Sequence, residues 1–298
     1  FVGSHLVDAL IRRRIKVFVV DDLSSGRRSN INPNAAFLKC SITSPIFLKH
    51  LRAMKPDVVF HCAAQINIRA SVADPIADAQ VNILGTIQLA SESAKIGVKK
   101  FVFLSSGGAL YPDRLLPPYS EDVQKEPISP YAIAKHAGEL YALFFQRNSK
   151  MHAMILRLAN VYGPRQNAKG EAGVISIFAT RLLSGKSVTI NGDGTQTRDY
   201  VFIGDVTRAC LLAMEKNASG VFNIGTGKQT NVNTIFQSMK RLIGSKMTKH
   251  HGPAVAGEVR RTALDCRRAA KELGWKPIVR LPEGLKITVE WYRKAKQS

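Results

Sequence analysis

Ile15-Lys16-Val17-Phe18-Val19-Val20-Asp21-Asp22-Leu23-Ser24-Ser25-Gly26 is the stretch on which the fold turns. A β-branched run over 15–20 breaks into two acids and a small-residue turn. Upstream of it, Phe1-Val2-Gly3-Ser4-His5 leads straight into a helical pattern of apolar residues, Leu6, Val7, Leu10 and Ile11. A helix, then a strand, then an acid at the strand's end is the order in which a dinucleotide-binding fold presents a carboxylate to ribose hydroxyls. Asp21 is that acid. A strand and its glycine turn are expected ahead of Phe1.

Working outward, the alternation continues with a strand at 36–39, a helix at 44–54, a strand at 58–61, a helix at 75–95 and a strand at 100–104. Strands alternating with helices predict a parallel sheet covered on both faces, an α/β doubly wound arrangement. Such sheets bind ligands at the carboxyl ends of their strands. Three clusters fall there: Asp21-Asp22, Cys62-Ala63-Ala64-Gln65 and Ser105-Ser106-Gly107-Gly108. An aspartate at position 21 favours NAD over NADP, because a 2′-phosphate would meet its charge; Arg27 and Arg28 act in the opposite sense. Asn82, inside the long helix, reads either as an exposed polar residue or as a cofactor contact.

Ser129-Pro130-Tyr131-Ala132-Ile133-Ala134-Lys135 begins the next helix, with Ser129 as N-cap and Pro130 as first helical residue. Residues four apart share a helix face about one turn, roughly 6 Å, apart. The Lys135 ammonium is therefore expected beside the Tyr131 phenol, easing its ionisation and making it an acid/base. Beyond lie a buried strand at 151–158 and a turn at 160–165. Shorter strands at 188–190, 200–203 and 221–224 follow, separated by helices at 174–184, 205–216 and 234–243. The predicted division is a nucleotide-binding domain over 1–164 and a smaller α/β substrate lobe over 165–298, with segments near 199–225 returning to the main sheet. A helix at 266–273, stopped by Gly274, and another at 282–294 close the chain.

The 298 residues, 45% of them hydrophobic, suffice for a large core. Cys40, Cys62, Cys210 and Cys266 are scattered, and the seven histidines form no metal spacing, so reduced thiols in a cytoplasmic protein are expected and no metal site is. No apolar run reaches the ~20 residues of a membrane span. The net charge of +21 suits polyanions, but the arginines fall in short dispersed groups such as Arg12-Arg13-Arg14 and Arg260-Arg261 rather than in one stripe, which argues against nucleic acid as the partner.

Taken together, these residues resemble the extended short-chain dehydrogenase/reductase family, and within it the NAD-dependent nucleotide-sugar epimerases of the UDP-glucose 4-epimerase group. The resemblance runs through Phe1–His5, Asp21–Gly26, His61–Gln65, Arg69-Ala70-Ser71-Val72, Asn82-Ile83-Leu84-Gly85-Thr86, Ser105–Tyr111, Ser129–Lys135, Asn160–Arg165 and Arg198-Asp199-Tyr200-Val201. It implies a Rossmann fold with NAD as cofactor and a homodimer formed through the helices at 75–95 and 130–148. It implies that Phe1 and Val2 meet the pyrophosphate, Asp21 the ribose, Ser25 and Gly26 the adenosine side, Ile42 the adenine, Ala63, Ala64 and Asn82 the nicotinamide side and Lys135 the nicotinamide ribose, with Ser105 and Tyr131 also cofactor contacts. Tyr131, Lys135 and Ser106 are the implied catalytic residues. Asn160 and Arg198 would hold the nucleotide diphosphate of a UDP-sugar, with Gly173, Val174, Val188, Ile190 and Glu258 lining the rest of its site.

Some positions depart from the family pattern. Ser41 stands where an adenine-side aspartate is usual, Gly107 where a third hydroxyl is usual, Val255 where an arginine is frequent, and Glu258 where an aspartate is. The implied activity is 4-epimerisation through a transient 4-keto sugar. Alternatives are a 4-ketoreductase, a 4,6-dehydratase, which the absence of an acid in Ser105-Ser106-Gly107 disfavours, and a basic RNA-binding protein on the same fold.

Overall fold

The computed structural model describes residues 1–168, 173–254 and 259–297. In chain order the first half is α1 (Val2–Arg12), β1 (Phe18–Asp21), β2 (Ala36–Lys39), α2 (Pro45–Met54), β3 (Val58–His61), α3 (Ile68–Ala73), α4 (Pro75–Ala79), α5 (Gly85–Lys95), β4 (Lys100–Ser106), α6 (Pro130–Arg147) and β5 (His152–Leu158). The second half is β6 (Asn160–Tyr162), α7 (Val174–Leu183), β7 (Val188–Asn191), β8 (Thr197–Arg198), β9 (Tyr200–Phe202), α8 (Ile203–Glu215), β10 (Gly220–Ile224), β11 (Thr230–Asn231), α9 (Val232–Ile243), β12 (Lys249–Gly252) and α10 (Leu281–Gln297). A π-helical turn, Gln80–Leu84, joins α4 to α5.

The expected parallel sheet is present as two ladders. One has the order β10-β5-β4-β3, all parallel, and the other pairs β1 with β2. No hydrogen-bonded ladder joins β1 to β3 among the described residues, so the alternation predicts the layer correctly but not its continuity. In the four-stranded ladder β4 pairs with β5 over its whole length, from Lys100 opposite His152 to Ser106 opposite Leu158. That register carries Ser105 and Ser106 past the end of β3, where His61 is opposite Phe103. The strands are mostly apolar because both faces are covered, Arg157 on β5 and Asn223 on β10 being buried exceptions. One face packs on α1 and α8 through Leu6, Leu10, Val102, Met154 and Val206, and the other on α2, α5 and α6 through Phe47, Leu89, Phe101, Ala142 and Ile155.

A separate apolar core gathers α7, α9, α10 and β7 around Phe178, Val188, Ile190, Phe236 and Leu285. This lobe is stitched to the sheet by buried carboxylates. Asp205, at the start of α8, accepts from the Ile278 and Val279 amides at 3.0–3.1 Å, and Trp275 Nε1 donates to the Asp205 carbonyl at 2.9 Å. Gly274, at φ +68°, stops the preceding helix as its sequence position predicts. Among the described residues no helix is long and apolar enough to cross a membrane.

Four differences from the sequence reading have physical causes. The run at 15–20 enters its ladder only at Phe18, since β2 begins opposite that residue. The helix expected over 75–95 is broken in register by the π turn around Asn82, and α3 precedes it unannounced because six residues are too few to display a period. The expected turn at 160–165 begins as strand β6, paired in parallel with β9, and turns only at Gly163 and at Arg165, φ +67°. β8, β11 and β12 have two to four residues each and escape any alternation test.

Candidate active site

The catalytic helix starts where its sequence says. Ser129 Oγ accepts from the Ala132 amide at 3.2 Å, Pro130 occupies the first turn, and Ser71 Oγ, from α3, accepts the Tyr131 amide at 3.2 Å. Capping from two elements fixes Tyr131 against the end of β4. Tyr131 is half-buried and Lys135 is 5% exposed. The ammonium of Lys135 lies over the Phe103 ring, 4.4 Å from its centroid.

The expectation that Lys135 eases ionisation of the phenol is not met. Burial pushes Tyr131 up to about 12; a hydrogen bond with Ser106 opposes this and the nearby Asp78 carboxylate adds to it. Burial acts on Lys135 in the other direction and brings it down to about 8, against the raising influence of Cys62, Glu139 and Asp78. Both groups are thus biased toward their neutral forms by desolvation, so any charge brought into the site acts on a strongly responsive pair.

Alternation along β4 sends its two serines to different duties. Ser106 faces Tyr131, whereas Ser105 Oγ donates to Glu139 Oε1 at 2.6 Å, on α6, one turn beyond Lys135. The Ser105 side chain therefore braces the catalytic helix and is turned away from the cofactor role implied for it. Glu139 also takes a two-pronged ion pair from Arg157 at 2.8 and 2.6 Å, and Arg157 continues to Tyr111, whose hydroxyl donates to Asn223 at 2.8 Å. Gly107 has a steric reason. A Cβ there would stand 2.5 Å from Leu264 Cδ1, a fully buried side chain. Gly107→Ala is expected to cost about 1–3 kcal/mol in denaturant unfolding, the cost of overpacking, with Leu264→Ala in the same chain relieving the clash.

The residues for a dinucleotide converge at the carboxyl ends of β1, β3 and β4. Asp21 Oδ1 accepts from the Leu23 amide at 2.7 Å, and a Cβ on Gly26 would lie 3.2 Å from that same oxygen, so the Ser24-Ser25-Gly26 loop closes onto the acid. Phe1 and Val2 open α1, whose first turn carries no acid to oppose an anion. Arg28 stacks on Phe37, 4.4 Å from the ring centroid, which engages one of the two arginines that could have welcomed a 2′-phosphate. A shaped carboxylate, a helix N-terminus and a buried cation fit NAD. Ala63 and Ala64, half-buried, follow β3.

Two implied cofactor residues differ. The Ile42 side chain is core, wedged against Gly85 and packed with Phe47 and Leu51, so only its backbone is free to meet an adenine. Asn82 is buried and its side chain is engaged within the chain: its Oδ1 accepts from the Gln65 amide at 2.9 Å, and its Nδ2 donates to the Gln65 carbonyl at 2.8 Å and to Asp78 at 2.9 Å. It clamps the loop after β3.

On the substrate side, Asn160 is exposed above Gly108, and its amide donates to the Asp199 carbonyl at 2.9 Å. Arg198 lies half-buried on β8, its guanidinium on the Thr197 carbonyl at 2.9 Å. Gly173 caps α7 and Val174 begins it. Val188 and Ile190 point into the lobe's core, because alternation on β7 leaves Thr189 and Asn191 outside, so their side chains do not line a site. Val255 and Glu258 lie outside the described residues.

The chain matches the family model of the NAD-dependent epimerase/dehydratase family over residues 1–225. It belongs to that family. A UDP-glucose 4-epimerase of Mycolicibacterium smegmatis is 41% identical over 303 residues, covering 100% of this chain and 97% of the relative. Among solved structures, the UDP-glucose 4-epimerase of Thermotoga maritima with UDP-glucose superposes with a TM-score of 0.97 at 47% identity, over 99% of this chain and 96% of that one. The UDP-glucose 4-epimerase of Thermus thermophilus in complex with NAD gives 0.93 at 35%, over 99% and 96%. The Rossmann arrangement and NAD dependence read from the residues are those of this family.

Sequence reasoning passed over Asp78, Glu139 and Arg157 and quoted Asp199 only as part of a motif, without a role. Asp199 is buried and gathers the amides of Thr226, Gly227 and Leu264 at 2.8–3.2 Å, tying β8 to the turn after β10. A signal existed for one of them: Arg157 is a charge inside an otherwise apolar strand, which demands a buried partner.

Proposed function

We propose that this chain is an NAD-dependent UDP-sugar 4-epimerase, with UDP-glucose and UDP-galactose as its first candidates. The observation that carries the reading is the convergence of Tyr131, in the first turn of α6, with Ser106, the last residue of β4, and with the buried Lys135 one helical turn along. Tyr131 takes the proton from the sugar C4 hydroxyl and later returns it, with Ser106 beside the phenol at the end of β4, and Lys135 holds the nicotinamide ribose of the bound cofactor. Bound NAD supplies the hydride acceptor and donor, so the net reaction is redox-neutral. Asp21, Gly26 and the N-terminus of α1 hold the cofactor; Asn160 and Arg198 hold the diphosphate. The body over 1–164, to which segments near 199–225 return, binds the dinucleotide, and the rest of the lobe over 165–298 binds the nucleotide-sugar. The test is incubation with NAD and UDP-glucose, UDP-galactose or their N-acetylated forms, with the C4 epimer resolved by chromatography. Failure to form an epimer from any of them overturns the reading.

The same reading includes a homodimer. Ile76 on α4, Leu84 on the π turn and Ile133, Leu140, Tyr141 and Phe144 on α6 are exposed, and α6 packs beside α4 and α5. Ile133, Leu140, Tyr141 and Phe144 follow one helical stripe, so two neighbouring helices present apolar faces that a second copy would bury about a two-fold axis. Leu140→Glu with Phe144→Glu is expected to give a monomer by light scattering where the parent is a dimer; a monomeric parent at tens of micromolar would refute it. All four cysteines are free, which suits a reducing compartment such as the cytoplasm.

A further inference from the structure

Asp78 is a carboxylate in an unusual place. It lies on α4, 2% exposed, where α4 packs against α6. Its Oδ1 accepts from Gln65 Nε2 at 2.8 Å and from Asn82 Nδ2 at 2.9 Å, while its Oδ2 is buried without a hydrogen-bond partner. Gln65 is thereby held three ways: its amide and carbonyl by Asn82, and its side chain by Asp78. Its side chain also spans the next turn, donating to the Asn67 carbonyl at 3.0 Å and accepting the Asn67 amide. The loop so fixed carries Ala63 and Ala64.

A half-partnered buried carboxylate is expensive unless it serves something nearby. The other buried acid near Lys135, Glu139, is neutralised by Arg157. Asp78 has no ion-pair partner within 4 Å among the described residues. We infer that Asp78 is a positioning residue of this site, fixing the loop after β3 through Gln65 and Asn82 while its charge acts through space on the Tyr131–Lys135 pair; this rests on the epimerase reading above.

Other groups face the pair. Cys62 and Glu139 act on Lys135, and His61 feels it from β3; Ser106 acts on Tyr131 from β4. Ser106 is the larger influence on Tyr131, and Cys62 and Glu139 are the larger ones on Lys135; Asp78 is the one of these groups that raises both. Burial lifts Asp78 itself above the ordinary carboxylate value, while Gln65, Asn82 and Lys135 pull it back.

Asp78→Asn separates the two duties, because an amide oxygen still accepts from Gln65 and Asn82 but carries no charge. The probe is a carbon-13 NMR titration of lysine-labelled full chain, the Lys135 resonance assigned by its loss in Lys135→Met. In Asp78→Asn, whose fold is checked by its unfolding midpoint, the Lys135 titration is expected to move to lower pH. The acidic limb of the rate–pH profile is expected to move the same way. Coincident titration curves for parent and variant overturn the inference. A shifted Lys135 titration in a protein that epimerises no sugar leaves this inference standing and removes the functional reading instead.

Discussion

Tyr131→Phe is expected to lower turnover of UDP-sugars by about 10²–10⁴-fold, the range that a positioned acid/base supplies. The substitution retains the ring and removes one oxygen. Its stability effect is therefore expected to be small, roughly 1 kcal/mol or less, since the lost oxygen interacts with Ser106, whose hydroxyl can turn to another acceptor. NAD binding is expected to stay within a few-fold, because Asp21, the N-terminus of α1 and Lys135 are untouched. The measurement is kcat and KM side by side with NAD affinity by titration calorimetry. A loss confined to kcat identifies the phenol as acting in the transition state. Retention of more than a tenth of the parent rate would assign the proton transfer elsewhere.

The physics behind the size of that effect was only half legible in the sequence. Tyr131 and Lys135 at i and i+4 after a Ser-Pro cap are read directly from residue order, and the helix starts there. What residue order cannot supply is the dielectric. The pair was expected to tune itself, Lys135 easing the phenol; instead burial dominates both members, and the strongest neighbours, Ser106 on Tyr131 and Cys62 on Lys135, arrive from the ends of β4 and β3. The strand ends were legible for the same reason as the helix: Asp21 and Ser105-Ser106 follow apolar runs. The assignment of Ser105 and Ser106 to opposite faces required the register of β4 against β5. Val188 and Ile190, which the resemblance places along the nucleotide-sugar site, send their side chains into the lobe's own core, an orientation that only the pairing of β7 reveals. Gly107, which looks like a lost hydroxyl in the sequence, is a packing requirement imposed by a residue more than 150 positions away, Leu264.

The largest expected loss of stability comes from Glu139→Gln. Glu139 and Arg157 are 1% and 3% exposed, and they pair through two hydrogen bonds across α6 and β5. Burial would raise the Glu139 carboxyl, but hydrogen bonds from Arg157, His136 and Ser105, with the Arg157 charge, overcome it and hold the group well below the usual carboxylate value. Neutralising Glu139 leaves a guanidinium buried without a counter-charge, which costs about 3–5 kcal/mol. Replacing both, as Glu139→Leu with Arg157→Met, removes two desolvated charges together and is expected to recover most of that loss. The pH dependence has a definite sign. A carboxyl whose folded value is depressed stabilises the fold above its unfolded value, near 4.5, and that contribution disappears as pH falls toward the folded value. The parent should therefore lose stability below about pH 4.5 more steeply than the double variant, in urea unfolding followed from pH 7 to pH 3. If Glu139→Gln unfolds within 1 kcal/mol of the parent at pH 7, the pair is not what locks α6 to the sheet. The catalytic helix would then be held by its Ser129 and Ser71 caps and by its apolar packing on β4 and β5.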